Sequence, residues 1–305
     1  MDLHLLSIIG FLPLVLVVTN ATVTPESDWK NWNSMLPDTP MPKAIRDHLP
    51  SGSEKGRASV DVHQAVDENI HWGKAASEDQ LRNDPNVAFY IQEKNLVPGT
   101  TTMDLQFTKK RTKVMTSFLP GQEAELIPFS SNKFSDILQR FSIIPRSKEA
   151  QVMKSTIKEC EEPAVVGEDR YCAASLESMV DFSTSRLGTN NIQAVSTEVD
   201  KEETQKQKYT ITTRAVKKIG SDKAVVCHDE PYVYTVFYCH TTTSARAYKV
   251  ALVGADGTKA NAVAVCHTDT ANWNPKHLAF EVLKVKPGAT VCHFLRGAQV
   301  VWVHK

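Results

Sequence analysis

The amino-acid sequence predicts an α+β fold in which N-terminal helices pack on a mostly antiparallel β-sheet. Apolar residues recur at helical spacing between about residues 130 and 188, whereas short runs rich in Val, Tyr, Phe and Ala dominate from Ala194 onward. The chain of 305 residues also contains 6 cysteines. An even number of cysteines in an exported protein predicts a fold that is stapled by disulfides.

The first 21 residues are predicted to be a secretory signal peptide. The apolar run from Leu5 to Val18 is too short for a membrane span, and small and polar residues follow it up to a cleavage site near Ala21. No second long apolar stretch follows. We therefore expect export, without stable membrane insertion of the mature protein.

Residues 22–88 are predicted to be a leader that is largely disordered. Pro, Ser, Asp, Glu and Lys dominate this stretch, it has no cysteine, and its apolar residues follow neither the helical nor the strand period. Trp29 and Trp32 mark the part most able to dock on the domain, because buried aromatic side chains can tether a leader. A globular domain is expected from residue 89 to residue 305.

Four helices are predicted within the globular part, each from apolar spacing or a terminal signal. They are a helix with Phe134, Ile137, Leu138 and Phe141 capped by Ser130 or Ser131; a helix with Ala150, Met153, Ile157 and Cys160 on one face; a helix over 171–188 stopped by Gly188; and a helix over 274–283 with Asn274 as cap and Pro275 in the first position. Cys160 would end one helix and Cys172 would begin the next. We predict a disulfide between these two cysteines.

The charge balance excludes a global field that would attract nucleic acid. Lys plus Arg and Asp plus Glu each number 35, so no nucleic-acid partner is expected. The basic run at 109–113 is interpreted as a solvated turn or strand end rather than a binding patch.

A Cys-His dipeptide occurs four times in the second half of the chain. The copies are Cys227-His228, Cys239-His240, Cys266-His267 and Cys292-His293. Adjacent residues do not have zinc-finger ligand spacing, and each dipeptide follows an apolar run typical of a short strand. Because neighbouring side chains in a strand point to opposite faces, four such strands lying together would place the cysteines in one layer and the histidines in the other. The same geometry excludes thiol catalysis within a dipeptide.

The four histidines are candidate metal ligands, and copper suits imidazole nitrogen well. The alternative from the residues alone is that each histidine merely ends a strand or makes a satisfied hydrogen bond. His277 and His304 are expected at the surface, outside the site. Asp229, Glu230 and Asp269 could orient the imidazole rings from behind, but we expect them in solvated turns. All six cysteines are expected in disulfides, with the pairing of Cys227, Cys239, Cys266 and Cys292 left open.

The spacing of the dipeptides resembles the plant BURP-domain family. The gaps between successive dipeptides are ten, 25 and 24 residues, close to the spacing of that family. Supporting phrases include FLPGQEAELIPFSSNKFSDILQRFS, KECEEPAVVGEDRYCAASLESMVDF and WNPKHLAFEVLKVKPG. The resemblance covers residues 89–305, so this domain is identified as a BURP domain.

Two further phrases are similar to the dehydration-responsive branch of the family, namely NWNSMLPDTPMPKAI and EDQLRNDPNVAFYIQEKNL. Members of that branch usually carry Thr-x-Val repeats between these landmarks, and this chain does not. The resemblance implies an exported protein of the apoplast or cell wall, linked to drought, salt or abscisic-acid responses. Its partner would be a cell-wall component or a secreted peptide or protein.

The resemblance also implies an alternative function as an enzyme, because some BURP domains are copper-dependent peptide cyclases that crosslink Tyr or Trp side chains. His228, His240, His267 and His293 match the copper-site motif of the family. Between Thr22 and Phe89, however, the chain has no tyrosine that could serve in a core peptide, and only three tryptophans. Two hypotheses therefore stand: a stress protein that acts by binding, and a copper enzyme acting on a peptide.

Overall fold

The computed structural model describes residues 31–49, 76, 89–102, 104–108, 116–164, 166–242 and 244–305. The predicted signal peptide, Trp29, most of the predicted leader and the basic run at 109–113 lie outside these residues.

The body of the protein consists of two antiparallel β-sheets with helices around them. The strands are β1 (Tyr90–Ile91), β2 (Glu168–Ala173), β3 (Ile192–Val195), β4 (Glu198–Val199), β5 (Tyr209–Ile219), β6 (Val225–Glu230), β7 (Val236–Thr242), β8 (Ala245–Gly254), β9 (Lys259–His267), β10 (Val291–Phe294) and β11 (Val300–His304). The helices are α1 (Lys43–Arg46), α2 (Gly121–Glu125), α3 (Phe134–Arg140), α4 (Lys148–Glu161), α5 (Leu176–Leu187) and α6 (Leu278–Leu283).

The strands divide between a six-stranded and a five-stranded sheet. The first has the order β1-β10-β9-β8-β5, with β4 also pairing with β9, and the second has the order β2-β7-β6-β11-β3. Every one of these pairings is antiparallel. The prediction of mostly antiparallel structure is confirmed, but the strands form two sheets rather than one.

The two sheets pack face to face. Val226 and Val301 of the five-stranded sheet share one buried cluster with Ala247 and Val265 of the six-stranded sheet. The opposite face of each sheet borders a core of its own, because side chains alternate along a strand. Helix α5 covers the outer face of the five-stranded sheet, and residues around Phe89 and 105–107 cover that of the six-stranded sheet.

Local signals set the starts of the long helices. The Ser147 hydroxyl accepts from the Ala150 amide to cap α4, and Ser175 forms a capping box with Ser178 at the start of α5. Helix α5 ends at Gly188, in the left-handed region at a φ of 73°, as predicted.

Three details of the helix predictions are wrong. Cys172 lies on β2, opposite Tyr238 of β7, because pairing with a distant strand overrides the local helical pattern. The cap of α6 is His277, whose Nδ1 accepts from the Ala279 amide, rather than Asn274. Neither Ser130 nor Ser131 caps α3, which begins after Lys133 without a side-chain cap, and the Ser130 hydroxyl donates to Glu161 instead.

All six cysteines are paired. The disulfides are Cys160–Cys172, which is the predicted pair, Cys227–Cys239 and Cys266–Cys292.

None of the helices in the described part of the chain has the length and hydrophobicity that a membrane span requires.

Part of the predicted leader belongs to the folded body. Residues 31–35 are helical and α1 follows them. Trp32 and Ile45 are each 0 % exposed within the core beneath α5. Residues 31–49 are thus the part of the predicted leader that docks on the domain, and Trp32 anchors it.

Candidate functional site

The Cys-His dipeptides are divided between the two sheets. Cys227 of β6 lies opposite Cys239 of β7 in the five-stranded sheet, and Cys266 of β9 lies opposite Cys292 of β10 in the six-stranded sheet. Each cysteine pair faces the outer core of its own sheet. The four cysteines therefore form two layers on opposite sides of the molecule, which corrects the prediction of a single layer.

The four histidines, in contrast, meet between the sheets. The residues two positions before His228 and His267 are Val226 and Val265, which belong to the cluster between the sheets, and alternation turns the histidines the same way. We call His228, His240, His267 and His293 the histidine tetrad. The predicted convergence is thus present, although it arises from two sheets facing each other.

The tetrad consists of two close pairs of imidazoles. The Nε2 atoms of His228 and His240 are 3.2 Å apart, and those of His267 and His293 are 3.3 Å apart. Within the pairs the rings are nearly parallel, at interplanar angles of 12° and 6°. Between the pairs, the ring centroids of His240 and His267 are 6.1 Å apart and those of His228 and His293 are 6.4 Å apart.

The tetrad is enclosed, with one partly open corner. His240, His267 and His293 are buried, whereas His228 keeps partial exposure. His228 is therefore the member of the tetrad that is most accessible to solvent.

The surroundings of the two pairs differ. Oε1 of the buried Glu168 lies 3.1 Å from Nδ1 of His240. On the other pair, the Trp273 ring lies 5.3 Å from the His267 ring, and the Tyr90 ring lies 6.5 Å from the His293 ring. One pair thus has a carboxylate behind it, and the other has an aromatic wall.

Burial favours the neutral form of the pair that faces the aromatic wall. Burial, reinforced by the neighbouring imidazoles, holds the pKa of His267 well below its ordinary value of 6.5. Burial likewise lowers the pKa of His293 to about 3. These rings therefore stay uncharged at physiological pH.

Two neutral imidazoles with facing Nε2 atoms have two options. They can share one proton, so that one Nε2 donates to the other, or both can coordinate a cation. Two ligands at about 2.0 Å from a tetrahedral ion are about 3.3 Å apart, so the spacing within each pair fits a shared ion. Within the described part of the chain, no group of three or more His, Cys, Asp or Glu side chains is placed to hold one ion. The donor set consequently fits a metal as two pairs rather than as a preformed cage of four nitrogens.

Several neighbouring residues differ from the sequence predictions. Asp229 and Glu230 lie on β6 and are buried rather than in solvated turns, whereas Asp269 is exposed. His277 is 2 % exposed, so its expected surface position is wrong. It lies behind the aromatic wall, with its ring 5.1 Å from that of Trp273.

Glu168, Trp273 and Tyr90 are neighbours of the tetrad that no sequence pattern predicted. Glu168 reaches His240 only because β2 pairs with β7 in a register that sets Arg170 opposite His240. Tyr90 arrives because β1 pairs with β10, which sets Tyr90 opposite His293. No local pattern encodes either pairing, since the partners are far apart in the chain.

Comparison of the amino-acid sequence with known proteins shows the family to which the chain belongs. The protein is 53% identical over 233 residues to BURP domain protein RD22 of Arabidopsis thaliana, an alignment that covers 76% of this chain and 59% of that protein. It is 54% identical over 234 residues to BURP domain-containing protein 3 of Oryza sativa subsp. japonica, covering 76% of this chain and 54% of the relative. It is also 45% identical over 299 residues to BURP domain-containing protein 5 of the same rice, covering 94% and 89%. The chain thus spans little more than half the length of the first two relatives. Residues 89–304 match the BURP domain, and the chain belongs to the BURP-domain family.

Proposed function

We propose that this protein is an extracellular, copper-binding member of the dehydration-responsive branch of the BURP family. The observation that carries the proposal is the histidine tetrad, with facing Nε2 atoms at 3.2 Å and 3.3 Å. The similarity to RD22 supports the branch. The link to drought, salt or abscisic-acid responses is carried over from the family resemblance.

Cysteine chemistry supports a location outside the cell. All six cysteines are paired, and disulfides persist in oxidising compartments. A location in the apoplast or cell wall agrees with the apolar N-terminal run that predicts a signal peptide. The partner would be a cell-wall component or a secreted peptide or protein.

The tetrad residues would hold copper through their Nε2 atoms. Imidazole is a good ligand for copper, and Cu(II) binds nitrogen sites more tightly than Zn(II). Burial keeps His267 and His293 neutral, so no positive charge on these two rings opposes the binding of a cation. Glu168 would orient His240 through the close approach of its carboxylate to Nδ1. When bound, copper would supply one-electron redox chemistry.

Copper titration of variants tests the proposal. We expect the quadruple replacement of the tetrad by Ala to abolish tight binding, measured by metal content after dialysis and by the electron paramagnetic resonance of Cu(II). The partly buried His304 lies outside the tetrad and provides His304→Ala as the control. Equal copper binding by the quadruple variant and the native protein would refute the proposal.

Two double variants distinguish one copper ion bound by all four histidines from two ions, one bound by each pair. His228→Ala with His240→Ala removes one pair, and His267→Ala with His293→Ala removes the other. If each pair holds its own ion, each double variant keeps half of the bound copper. If all four rings hold one ion, either double variant loses it.

A second candidate function is the oxidative crosslinking of Tyr or Trp side chains in a peptide supplied by another chain. The partial exposure of His228 favours it, because a substrate side chain could approach the tetrad at this corner. Two C–H, N–H or O–H bonds of the peptide would be replaced by one crosslink, and two electrons and two protons would pass to dioxygen to give hydrogen peroxide. The test is the intact mass of candidate secreted peptides after incubation with the copper-loaded protein. A copper-dependent loss of two hydrogens supports this function, and unchanged peptide masses refute it for those peptides.

A further inference from the structure

Residues 31–49 lie outside the part of the chain that matches the BURP domain, yet they occupy a groove on its surface. The groove lies on the outer face of the five-stranded sheet, beside α5 and β11. Apolar side chains of the segment share one buried cluster with the groove. Those from the segment are Trp32, Leu36, Met41, Ala44 and Ile45, and those from the groove include Phe118, Met179, Val180, Ile192, Phe237 and Trp302.

Trp32 is the main anchor of the segment. Its side chain is 0 % exposed, and its ring lies 6.0 Å from the ring of Trp302. The indole Nε1 donates to the Thr39 carbonyl at 2.7 Å, so the polar group of the ring is satisfied inside the segment. Trp32 therefore enters the groove without leaving a buried donor unpaired.

Polar contacts fix the register of the segment at its start. The Asn31 side chain donates to Glu177 of α5 at 2.9 Å. The C-terminal Lys305 donates through Nζ to the Pro37 carbonyl at 3.0 Å. These contacts join the segment to parts of the domain that are distant in the sequence.

The end of the segment is held by His48. The Phe118 amide donates to the His48 carbonyl at 2.9 Å, and Nδ1 of His48 lies 3.0 Å from the Thr235 hydroxyl. The imidazole meets Phe118 and Phe237 edge to face. Both ends of the segment thus have specific contacts, as a bound peptide ligand has.

We propose that residues 31–49 are an intramolecular peptide ligand, and that the groove is a docking site for a segment of this kind, anchored by Trp32. No cysteine precedes Cys160, so no disulfide ties the segment to the domain. Because the segment and the groove belong to one chain, the covalent connection raises the effective concentration of the segment at the groove, whereas the contacts in the groove supply the affinity. Cleavage of the chain between residues 50 and 75 therefore yields a two-chain protein that stays assembled.

A cleavable full-length chain tests this inference. A specific protease site is placed within residues 51–75, and the folded protein is cleaved and passed through size-exclusion chromatography with disulfides intact. We expect the N-terminal piece to elute with the domain. If it separates while the domain keeps its native circular dichroism, the inference is overturned.

Variants of the anchor distinguish specific docking from general adhesion. In the cleaved protein, Trp32→Ala should raise the Kd of the piece at least about a hundredfold, which corresponds to the roughly 3 kcal/mol lost with a buried Trp side chain. Leu126→Ala is the matched control, because Leu126 is 76 % exposed and outside the groove. Equal retention of the Trp32→Ala piece and the native piece would overturn the role of Trp32.

Peptide exchange keeps the test open if the Trp32→Ala chain fails to fold. A labelled synthetic peptide of residues 31–49 is added in excess to the cleaved native protein. We expect it to replace the native piece, and a peptide with Trp32→Ala not to do so. Equal uptake of both peptides, or of neither, contradicts a groove that recognises this segment.

Discussion

Oε1 of Glu168 lies 3.1 Å from Nδ1 of His240, and both side chains are buried. A carboxylate beside Nδ1 favours the tautomer in which Nδ1 carries the proton and Nε2 is unprotonated. That Nε2 faces Nε2 of His228 at 3.2 Å. Glu168 therefore acts as a positioning residue for one pair of the tetrad.

Glu168→Gln is expected to weaken copper binding by about 10- to 100-fold, the range typical of carboxylates behind metal-ligating histidines. The amide keeps the size of the side chain but loses the charge that favours the required tautomer. Competition with a chelator of known affinity measures the change. Asp169→Asn is the control, because the Asp169 side chain is 62 % exposed and contacts Arg186. A Glu168→Gln protein with native copper affinity would argue against this role.

The three disulfides should be reduced in a defined order. Cys160 and Cys172 are only partly buried, whereas the other four cysteines are 0 % exposed. Mild reductant should therefore open Cys160–Cys172 first, because exchange requires access to the sulfur. Alkylation followed by peptide mass mapping gives the order. Closure of a ring of this size contributes on the order of 3 kcal/mol, so the melting temperature should fall as this bond opens. Earlier alkylation of Cys227 or Cys266 would contradict the expected order.

His277 should make the free energy of unfolding depend on pH. Burial lowers its pKa from 6.5 to about 4, so the folded state takes up its proton later than the unfolded state as the pH falls. The contribution of neutral His277 to the free energy of unfolding is fully present above pH 6.5. It is lost progressively as the pH falls from 6.5 to about 4.

His277→Asn should therefore lose less stability than the native protein between pH 7 and pH 4.5. Asn retains an acceptor for the Ala279 amide and is a good N-cap, but it does not titrate. Chemical denaturation at a series of pH values provides the comparison. Parallel pH profiles of the two proteins would show that His277 does not contribute to this dependence.

Gly220→Ala should destabilise the protein through both strain and overlap. Gly220 has a φ of +65°, and an added Cβ would lie 2.6 Å from Cβ of Val303 in β11. The left-handed conformation alone costs about 1–2 kcal/mol for an L-residue, and overlap in a packed region adds about 1–3 kcal/mol.

Gly188→Ala isolates the strain, because Gly188 has a φ of +73° with no atom within 4 Å of an added Cβ. Equilibrium urea denaturation should therefore show a clearly larger loss for Gly220→Ala than for Gly188→Ala. Similar losses would mean that β11 shifts to accommodate the methyl group.

Features that depend on neighbouring residues could be predicted from the sequence. The helical spacing of Met153 and Ile157 corresponds to their burial on α4, and Gly188 ends α5 as predicted. The disulfide Cys160–Cys172 could be predicted because it closes a local loop of separation 12. The prediction of a helix at Cys172 was wrong because β2 forms backbone hydrogen bonds with β7. The local sequence does not reveal this distant partner.

The candidate site likewise has features that the local sequence encodes and features that depend on the pairing of distant strands. The alternation of Cys and His along each strand was encoded in the dipeptides themselves, since successive side chains point to opposite faces. Placement of Glu168 and Tyr90 beside the tetrad required the pairing of β2 with β7 and of β1 with β10. The burial of His277 likewise required the packing of α6 beside β1.

The sequence by itself determined that the histidines would face one way and the cysteines the other on each strand, because that depends only on the period of an extended chain. Only the tertiary structure decided that these strands belong to two sheets, with the disulfides outside and the histidine tetrad between them. The pairing of strands depends on the apolar surface that both faces of both sheets bury. Residues across the whole chain contribute to that burial. For the same reason, Trp32 is a core residue only once α5 and β11 have formed the groove that receives it.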